Sequence, residues 1–438
     1  MLSFILEIGV EEFPARFLPG LEKELTDRFS AAFAAEGVPF ENLRVMSTPR
    51  RSAVMASLGA ATEAREELVM GPPVKVAYDA SGNPTKAAEG FAKTQGVTMA
   101  DLFRETTDKG EYLAARKKTG GEATEAVLAR VCPEIVAALP FPKKMHWGSG
   151  TFTFARPLRW LLAMLGDSVI TFEVGGVVSA NTTLGHRIHG FGPFTLKTAA
   201  DYLAVAEKEC RVTVDGASRR AAIIRGGDEA ATEVGGRVLW KESLLDEVQG
   251  LTEHPVPLLG GFDPSFLEIP REVLLTSMES HQKSFGVEGA DGKLLPYFLT
   301  VLNITPPNKT IVRKGWERVL RARLEDARFF WKTDLAANFD AWLASLDSVI
   351  FLAPLGSMGN KTRRLEKLCA YLAEKVGSVS VADAARAGRL SKADLVSGMV
   401  GEFDSLQGIM GGIYAEKRGE NATVSAALKE QYLPAGPD

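Results

Sequence analysis

His186 and His189, in GHRIHG, stand three residues apart, a spacing that can place two imidazoles on one metal ion. No Asp, Glu or Cys lies near enough in sequence to complete the set, and the flanking glycines fit a tight turn better. Cys132, Cys210 and Cys369 are far apart and form no CxxC, which speaks against a zinc knuckle and for a reducing compartment. Glu7, Glu11 and Glu12 could supply paired carboxylates for acid–base work. At the end of an apolar run they fit turn and helix-start partners better. GSMGNKT, residues 356–362, has the flavour of a phosphate loop. Asn360 rather than glycine precedes Lys361 and the four-residue spacing is absent, so a helix start capped by Asn360 is the plainer reading. There is no His-Asp pair, no GxSxG and no cysteine with an evident base. Neither a catalytic residue nor a metal ligand is therefore expected.

Clustered cations recur instead. TPRRS, residues 48–52, puts Arg50 and Arg51 on a turn, where guanidinium forks suit phosphate but a solvated turn is the simpler reading. FPKKMHWG, residues 141–148, sets Lys143, Lys144 and His146 beside Trp147. Charge there could track an RNA backbone while the ring stacks on an unpaired base, and Trp147 would fit a core equally well. SMESHQKSF, residues 277–285, offers His281, Gln282 and Lys283 to a phosphate, a base edge or a carboxylate, and reads equally as a strand end with a hydrogen-bonded histidine.

From Arg318 the chain reads RVLRARLEDARFFWK. Helical spacing aligns Arg318, Arg321, Glu325, Arg328 and Lys332 in one stripe, and Leu320, Leu324, Ala327 and Trp331 in another about 120° round. The apolar stripe must face a core, whereas the basic one can face water, a partner subunit or a polyanion. Residues 313–332 carry seven Lys/Arg against three Asp/Glu in a chain of net charge −4. That balance argues against non-specific nucleic-acid binding by the whole surface and permits a local basic patch.

These residues need a scaffold. A chain of 438 residues has room for roughly three domains. It is 45% apolar and 24% charged, as soluble globular proteins are, and has no run of 18 apolar residues to span a membrane. MLSFILEIGVEEFP reads as a strand entering a turn rather than a signal peptide. Leu21, Leu25, Phe29 and Phe33 predict a helix ending at Gly37, and residues 43–58 two strands around STPRRS. Residues 71–120 are polar and turn-rich, with a turn at DASGNPTK and a short helix at Ala88–Gln95. A helix near 122–139 follows, and then PLRWLLAMLGDSVITFEVGG and LLPYFLTVLNI as parts of a mixed sheet. From about residue 310 helical periodicity dominates. Helices are predicted over 316–332, over 361–377 with Leu365, Leu368, Leu372 and Val376, and from Lys392 with Leu395, Met399, Phe403, Leu406 and Met410. Ser391 and Asp394 resemble a capping pair for the last of these. The expected class is α+β and multidomain: an α+β domain over 1–140, a mixed-sheet α+β domain over 141–309, and an all-helical module over 310–438. The final EQYLPAGPD reads as a linker or a cut.

FILEIGVEEFPARFL, STPRRSAV, FPKKMHWG, FARPLRWLLAMLGD, LGHRIHG, EHPVPLLGGFDPSFLEIPREVLLTSMESHQKSF, RVLRARLEDARFF and KADLVSGMVGEFDSLQGIMGGIYA occur in an order that resembles the β subunit of the bacterial two-subunit glycyl-tRNA synthetase. The resemblance is collinear over nearly the whole chain, and departs from the family's usual pattern at His146, Ser284, Trp316 and Asp404. It implies an α2β2 ligase in which the α subunit carries the class II active site and uses ATP and Mg to activate glycine. This chain would bind no cofactor of its own. It would serve tRNA recognition in the cytoplasm, with the α subunit and tRNA(Gly) as partners and neither membrane nor DNA involved. The helical module would be HD-like and incomplete, with the rest of that domain and an anticodon-binding domain lying beyond this sequence. Phosphate-positioning contacts are then expected from Arg50, Arg51, Lys143, Lys144, Arg187, Lys283, Arg318, Arg321 and Arg328. The alternative is a structural subunit that docks α without touching RNA, which Glu325 in the basic stripe would suit. A self-sufficient HD-type hydrolase is disfavoured because its ligand set is missing.

Overall fold

The N-terminal apolar run forms strand β1 (Leu2–Val10), buried on both faces from Phe4 onward. A strand so enclosed must lie inside a sheet. β1 pairs antiparallel with β3 (Arg51–Leu58) on one side and with the strand Leu158–Leu165 on the other, and β3 continues to β2 (Phe40–Thr48). The computed structural model describes residues 1–438 except 80, 81, 109, 191, 435, 437 and 438, and gives only the backbone of 65–67 and 117–119.

Alternation along β1 divides two cores. Phe4, Leu6, Ile8 and Val10 pack against Leu21, Leu25, Phe29 and Phe33 of the helix α1 (Leu18–Glu36) and against Val127, Leu128 and Val131 of the helix Thr124–Ala137. α1 ends at Gly37 in the left-handed conformation, φ 68°, as its sequence predicts. On the opposite face Ile5 joins Met46, Ala53, Leu162, Met164, Tyr202 and Ala206. Glu7 shares that second face and is buried there.

Gly9 sits opposite Trp160, and a Cβ on Gly9 would come within 1.9 Å of the indole. Gly9→Ala is therefore expected to cost about 1–3 kcal/mol through overpacking. It would show as a lower urea midpoint at unchanged slope; an unchanged midpoint would mean that Trp160 moves aside freely.

Contacts group the chain into two units, Met1–Arg220 with Gln249–His254, and Ala221–Val248 with Pro255–Asp438. This differs from a division at 140 and 309. The strand Leu158–Leu165 completes the sheet begun by β1, so no boundary falls near 140. Residues Gln249–His254 belong with the first unit because buried Arg219 donates to the carbonyls of Ser47, Thr213, Val214 and Gln249. Nor does the helical module stand apart at 309. Leu320, Leu324, Ala327 and Trp331 share one core with Phe266, Val273, Met278 and Phe298 of the second unit's sheet region. That four-stranded sheet runs Gly236–Val238, Phe285–Gly289, Leu294–Leu302, Val256–Gly261.

Between Arg65 and Thr119 lies a three-stranded antiparallel sheet, Arg65–Pro73, Gly110–Thr119 and Leu102–Thr107, where the sequence suggested turns. Its described core is small, Ala77, Ala88 and Leu113, too few apolar positions to announce strands. The short helix there is Lys86–Gln95. Residues 80 and 81 of the DASGNPTK turn lie outside the described residues; beside them the Asn83 N–H donates to Asp79 Oδ1 at 2.8 Å.

Four helical expectations change. The helix Met358–Val376 is capped by Ser357, whose hydroxyl accepts from the Asn360 N–H, and not by Asn360. Leu368, Leu372 and Val376 on it are exposed. No single helix starts at Lys392: the segment breaks into Ala393–Val396, Gly398–Glu402, Asp404–Leu406 and Ile409–Lys417. Asp394 does not cap with Ser391; its carboxylate accepts from the N–H groups of Gly408 and Gly411 at 2.6 and 2.9 Å. Among the described residues no helix is long and apolar enough to cross a membrane.

Candidate nucleic-acid interface

The turn between β2 and β3 exists because the Thr48 hydroxyl accepts from the N–H groups of both Arg50 and Arg51, each at 3.2 Å. It aims the Arg51 side chain inward. Arg51 is 0% exposed, with Nη1 donating to Glu7 Oε1 at 2.9 Å and to Thr183 at 3.2 Å, and Nε donating to Glu253 Oε1 at 2.9 Å. The expectation that Arg51 meets an RNA phosphate is thus corrected: two buried carboxylates already match its charge. Burial opposes that charge, yet Glu253 and Glu7 more than compensate, so the guanidinium holds its proton more tightly than usual. Burial likewise opposes ionisation of Glu253, but Arg51, Thr48 and Arg50 overcome it and keep its carboxyl below the ordinary range. For Glu7 burial outweighs Arg51 and Thr183, and its carboxyl is pushed up.

Arg50 is also largely enclosed. Its Nη1 donates to the Gly185 carbonyl at 3.1 Å, its guanidinium lies 5.6 Å from the Trp160 ring centroid, and its side chain is 12% exposed. The GHRIHG turn is the tight turn its glycines imply. The Ile188 and His189 N–H groups donate to His186 Nδ1 at 3.2 and 3.3 Å. His254, distant in sequence, joins them, its ring centroid 5.1 Å from that of His189. Among the described residues no group of three or more His, Cys, Asp or Glu side chains could hold a metal ion.

The other expected contacts fall into two sets. Arg187 is exposed but pairs with Glu11 at 2.5 Å and Glu12 at 3.2 Å. Lys283, in a left-handed backbone conformation with φ 51°, pairs with Glu247 at 3.0 Å. It follows a wide turn of helix, Ser277–His281, and not a strand end. Arg328 pairs with Glu325 and lies over the Phe266 ring at 4.6 Å. Lys143, Lys144, Arg318 and Arg321 are exposed and make no hydrogen bond or ion pair among the described residues. The first two lie in the first unit and the last two in the second, on the helix Lys309–Ala336. The apolar stripe of that helix is buried as its spacing requires.

Sequence reasoning missed Tyr297, Lys314 and Glu317, which line one cavity together with Arg318 and Arg321. Lys314 continues the basic face one turn earlier at four-residue spacing, and that signal was available. Tyr297 comes from a strand, and nothing local ties it to the helix.

A family model described as glycyl-tRNA synthetase beta subunit matches residues 4–438. The glycine–tRNA ligase beta subunit of Nitratidesulfovibrio vulgaris Miyazaki F is 68% identical over 439 residues, 100% of this chain and 63% of its own length. That of Oleidesulfovibrio alaskensis is 64% identical with the same coverage. That of Clostridioides difficile is 40% identical over 99% of this chain and 63% of its own length. The chain thus spans a little under two thirds of these relatives.

Proposed function

The chain belongs to the glycyl-tRNA synthetase beta subunit family, and from that membership we propose that it is the tRNA-binding, non-catalytic partner of an α subunit in the ATP-dependent attachment of glycine to tRNA(Gly). The match along the full chain carries the reading. In it, glycine activation with ATP and Mg belongs to the α subunit of an α2β2 assembly working in the cytoplasm. This chain contributes affinity and positioning through cations free to meet phosphate: Lys143, Lys144, Arg318 and Arg321.

Four such contacts predict a log–log salt slope of about −3, an affinity loss of roughly 60-fold between 50 and 200 mM salt. Filter binding of tRNA(Gly) to the chain in complex with α measures it. Absent or salt-independent binding would sink the proposal.

A second reading, docking to α without RNA contact, is favoured by the neutralised Arg187, Lys283 and Arg328 and by exposed Leu368, Leu372 and Val376 on one helix. Crosslinking of residues 314–321 to tRNA supports the first reading; crosslinking of those residues to α alone supports the second.

A further inference from the structure

The basic stripe of the long helix Lys309–Ala336 is not one surface. Its C-terminal half is tied down: Arg328 is held by Glu325 and the Phe266 ring, and Lys332 pairs with Glu268 at 3.7 Å. Its N-terminal half is different. Lys314, Arg318 and Arg321 recur at spacings of four and three, on one face over about 10 Å of helix. Together they line a cavity of about 570 Å³ whose walls also include Tyr297, Asp263 and Glu317. That volume lies within the range of small-ligand sites.

The two carboxylates in the wall have other work. Glu317 Oε1 accepts the Gly261 N–H at 3.1 Å and faces Arg313 Nε at 3.8 Å. Asp263 accepts the Ser265 N–H at 2.9 Å, at the start of a short helical turn. Neither is within ion-pair distance of the three cations, although the Ser265 N–H and, more weakly, the Arg321 charge help hold the Asp263 carboxyl below the ordinary range. Tyr297 is half-buried in the strand Leu294–Leu302, and its ring contacts the position where a Gly261 Cβ would stand, at 3.7 Å. The cavity therefore presents three cations with no hydrogen bond or ion pair among the described residues, Arg321 partly offset by Asp263, and an aromatic ring held by the sheet.

We propose that this cavity is an RNA subsite that takes one unpaired nucleotide, its base against Tyr297 and its flanking phosphates on Lys314, Arg318 and Arg321. Cations track the backbone and a ring accepts any base, so the site adds affinity and favours a single-stranded or splayed region over duplex. An acidic peptide would satisfy the cations but leave the aromatic wall without a use. The inference rests on the tRNA-binding reading above and names where on the second unit that reading acts.

The test uses the complex with α and a tRNA(Gly) transcript. Arg318→Gln/Arg321→Gln, two exposed positions, is expected to weaken binding about tenfold at 100 mM salt and to flatten the salt slope by about 1.5. Tyr297→Leu is expected to weaken binding about fivefold at unchanged slope, because a neutral ring releases no counterions. If the unaltered complex binds tRNA and the double arginine variant binds it with equal affinity and slope, the subsite is overturned. Loss of α with tRNA binding retained would make the face a protein interface and overturn it too. Displacement of tRNA by micromolar AMP would assign the cavity to a free nucleotide, with the same consequence. Failure of the unaltered complex to bind tRNA overturns instead the broader functional reading.

Discussion

Arg51→Met is expected to lower the stability of the first unit by about 3–5 kcal/mol, more than any exposed cation in the chain could contribute. The loss comes from what the substitution leaves behind. Glu7 and Glu253 are each 0% exposed, and Arg51 is the cation that touches both. Without it, two carboxylates face each other in a low-dielectric interior, along with Thr183 and Thr48, whose hydroxyls donate to them at 3.0 and 2.7 Å. Arg51→Lys keeps the charge but cannot fork, so it should recover only part of the loss. Arg51→Met/Glu7→Gln/Glu253→Gln removes the three fully buried charges and should stand above the single variant, though below the parent because Arg50, 3.9 Å from Glu253, loses its carboxylate. Amide exchange along β1 is the suitable readout, because it reports opening of that strand separately from unfolding of the second unit. Full protection of the β1 amides in Arg51→Met would refute the network. The same variant separates two roles for Arg51: as an internal staple it changes stability while tRNA affinity per folded molecule stays unchanged.

The unexpected role of Arg51 shows where local sequence information stops. The turn was legible, since TPRRS carries its own cap. The burial was not, because the matching carboxylates lie 44 and 202 residues away. Glu7 could be seen at the end of an apolar run, but only the pairing of β1 with β3 and with the strand Leu158–Leu165 shows that the run is enclosed on both faces. Periodicity performed well where one element buries one face: α1 and the stripe from Leu320 to Trp331 are buried as spaced. It failed in two instructive ways. Between Lys392 and Met410 the apolar positions Met399, Phe403, Leu406 and Met410 are all buried, yet the backbone turns three times among them. Gly408, which takes φ 86°, permits the last of those breaks. On Met358–Val376 the helix is present but its Leu368–Val376 face is exposed. Periodicity reports that a face is apolar and cannot report what covers it.

The candidate interface divides along the same line. A count of Lys and Arg finds every cation, and only the partners decide which are free. Glu11, Glu247 and Glu325 consume Arg187, Lys283 and Arg328. The cations that remain available are those whose neighbouring carboxylates are committed elsewhere, as Glu317 is to the Gly261 N–H. A basic stripe on a helix is thus a set of separate environments, each fixed by the element packed beside it.

The far end of the long helix gives the second large effect. Asp334→Ala is expected to destabilise the helical part of the second unit by about 3 kcal/mol, because it strands several buried donors at once. Asp334 Oδ1 accepts the Gly398 N–H at 2.8 Å; Oδ2 accepts the Met399 N–H at 2.9 Å and the Tyr414 hydroxyl at 2.7 Å. One carboxylate thus starts the helix Gly398–Glu402 and fixes the ring that stacks on Trp331 at 5.5 Å. Tyr414→Phe removes one donor and leaves the other two bonds intact, so about 1 kcal/mol is expected. Asp334→Asn should fall between, since its amide nitrogen would meet an N–H where an oxygen now accepts. The order Ala, Asn, then Phe at Tyr414 in urea midpoints checks the argument, and an Asn variant as stable as the parent would defeat it. Asp334 lies about 20 Å along the helix from Arg321, so these losses should appear in unfolding and leave tRNA affinity of the folded complex unchanged. An affinity loss at full stability would mean instead that the two ends of the helix act as one site.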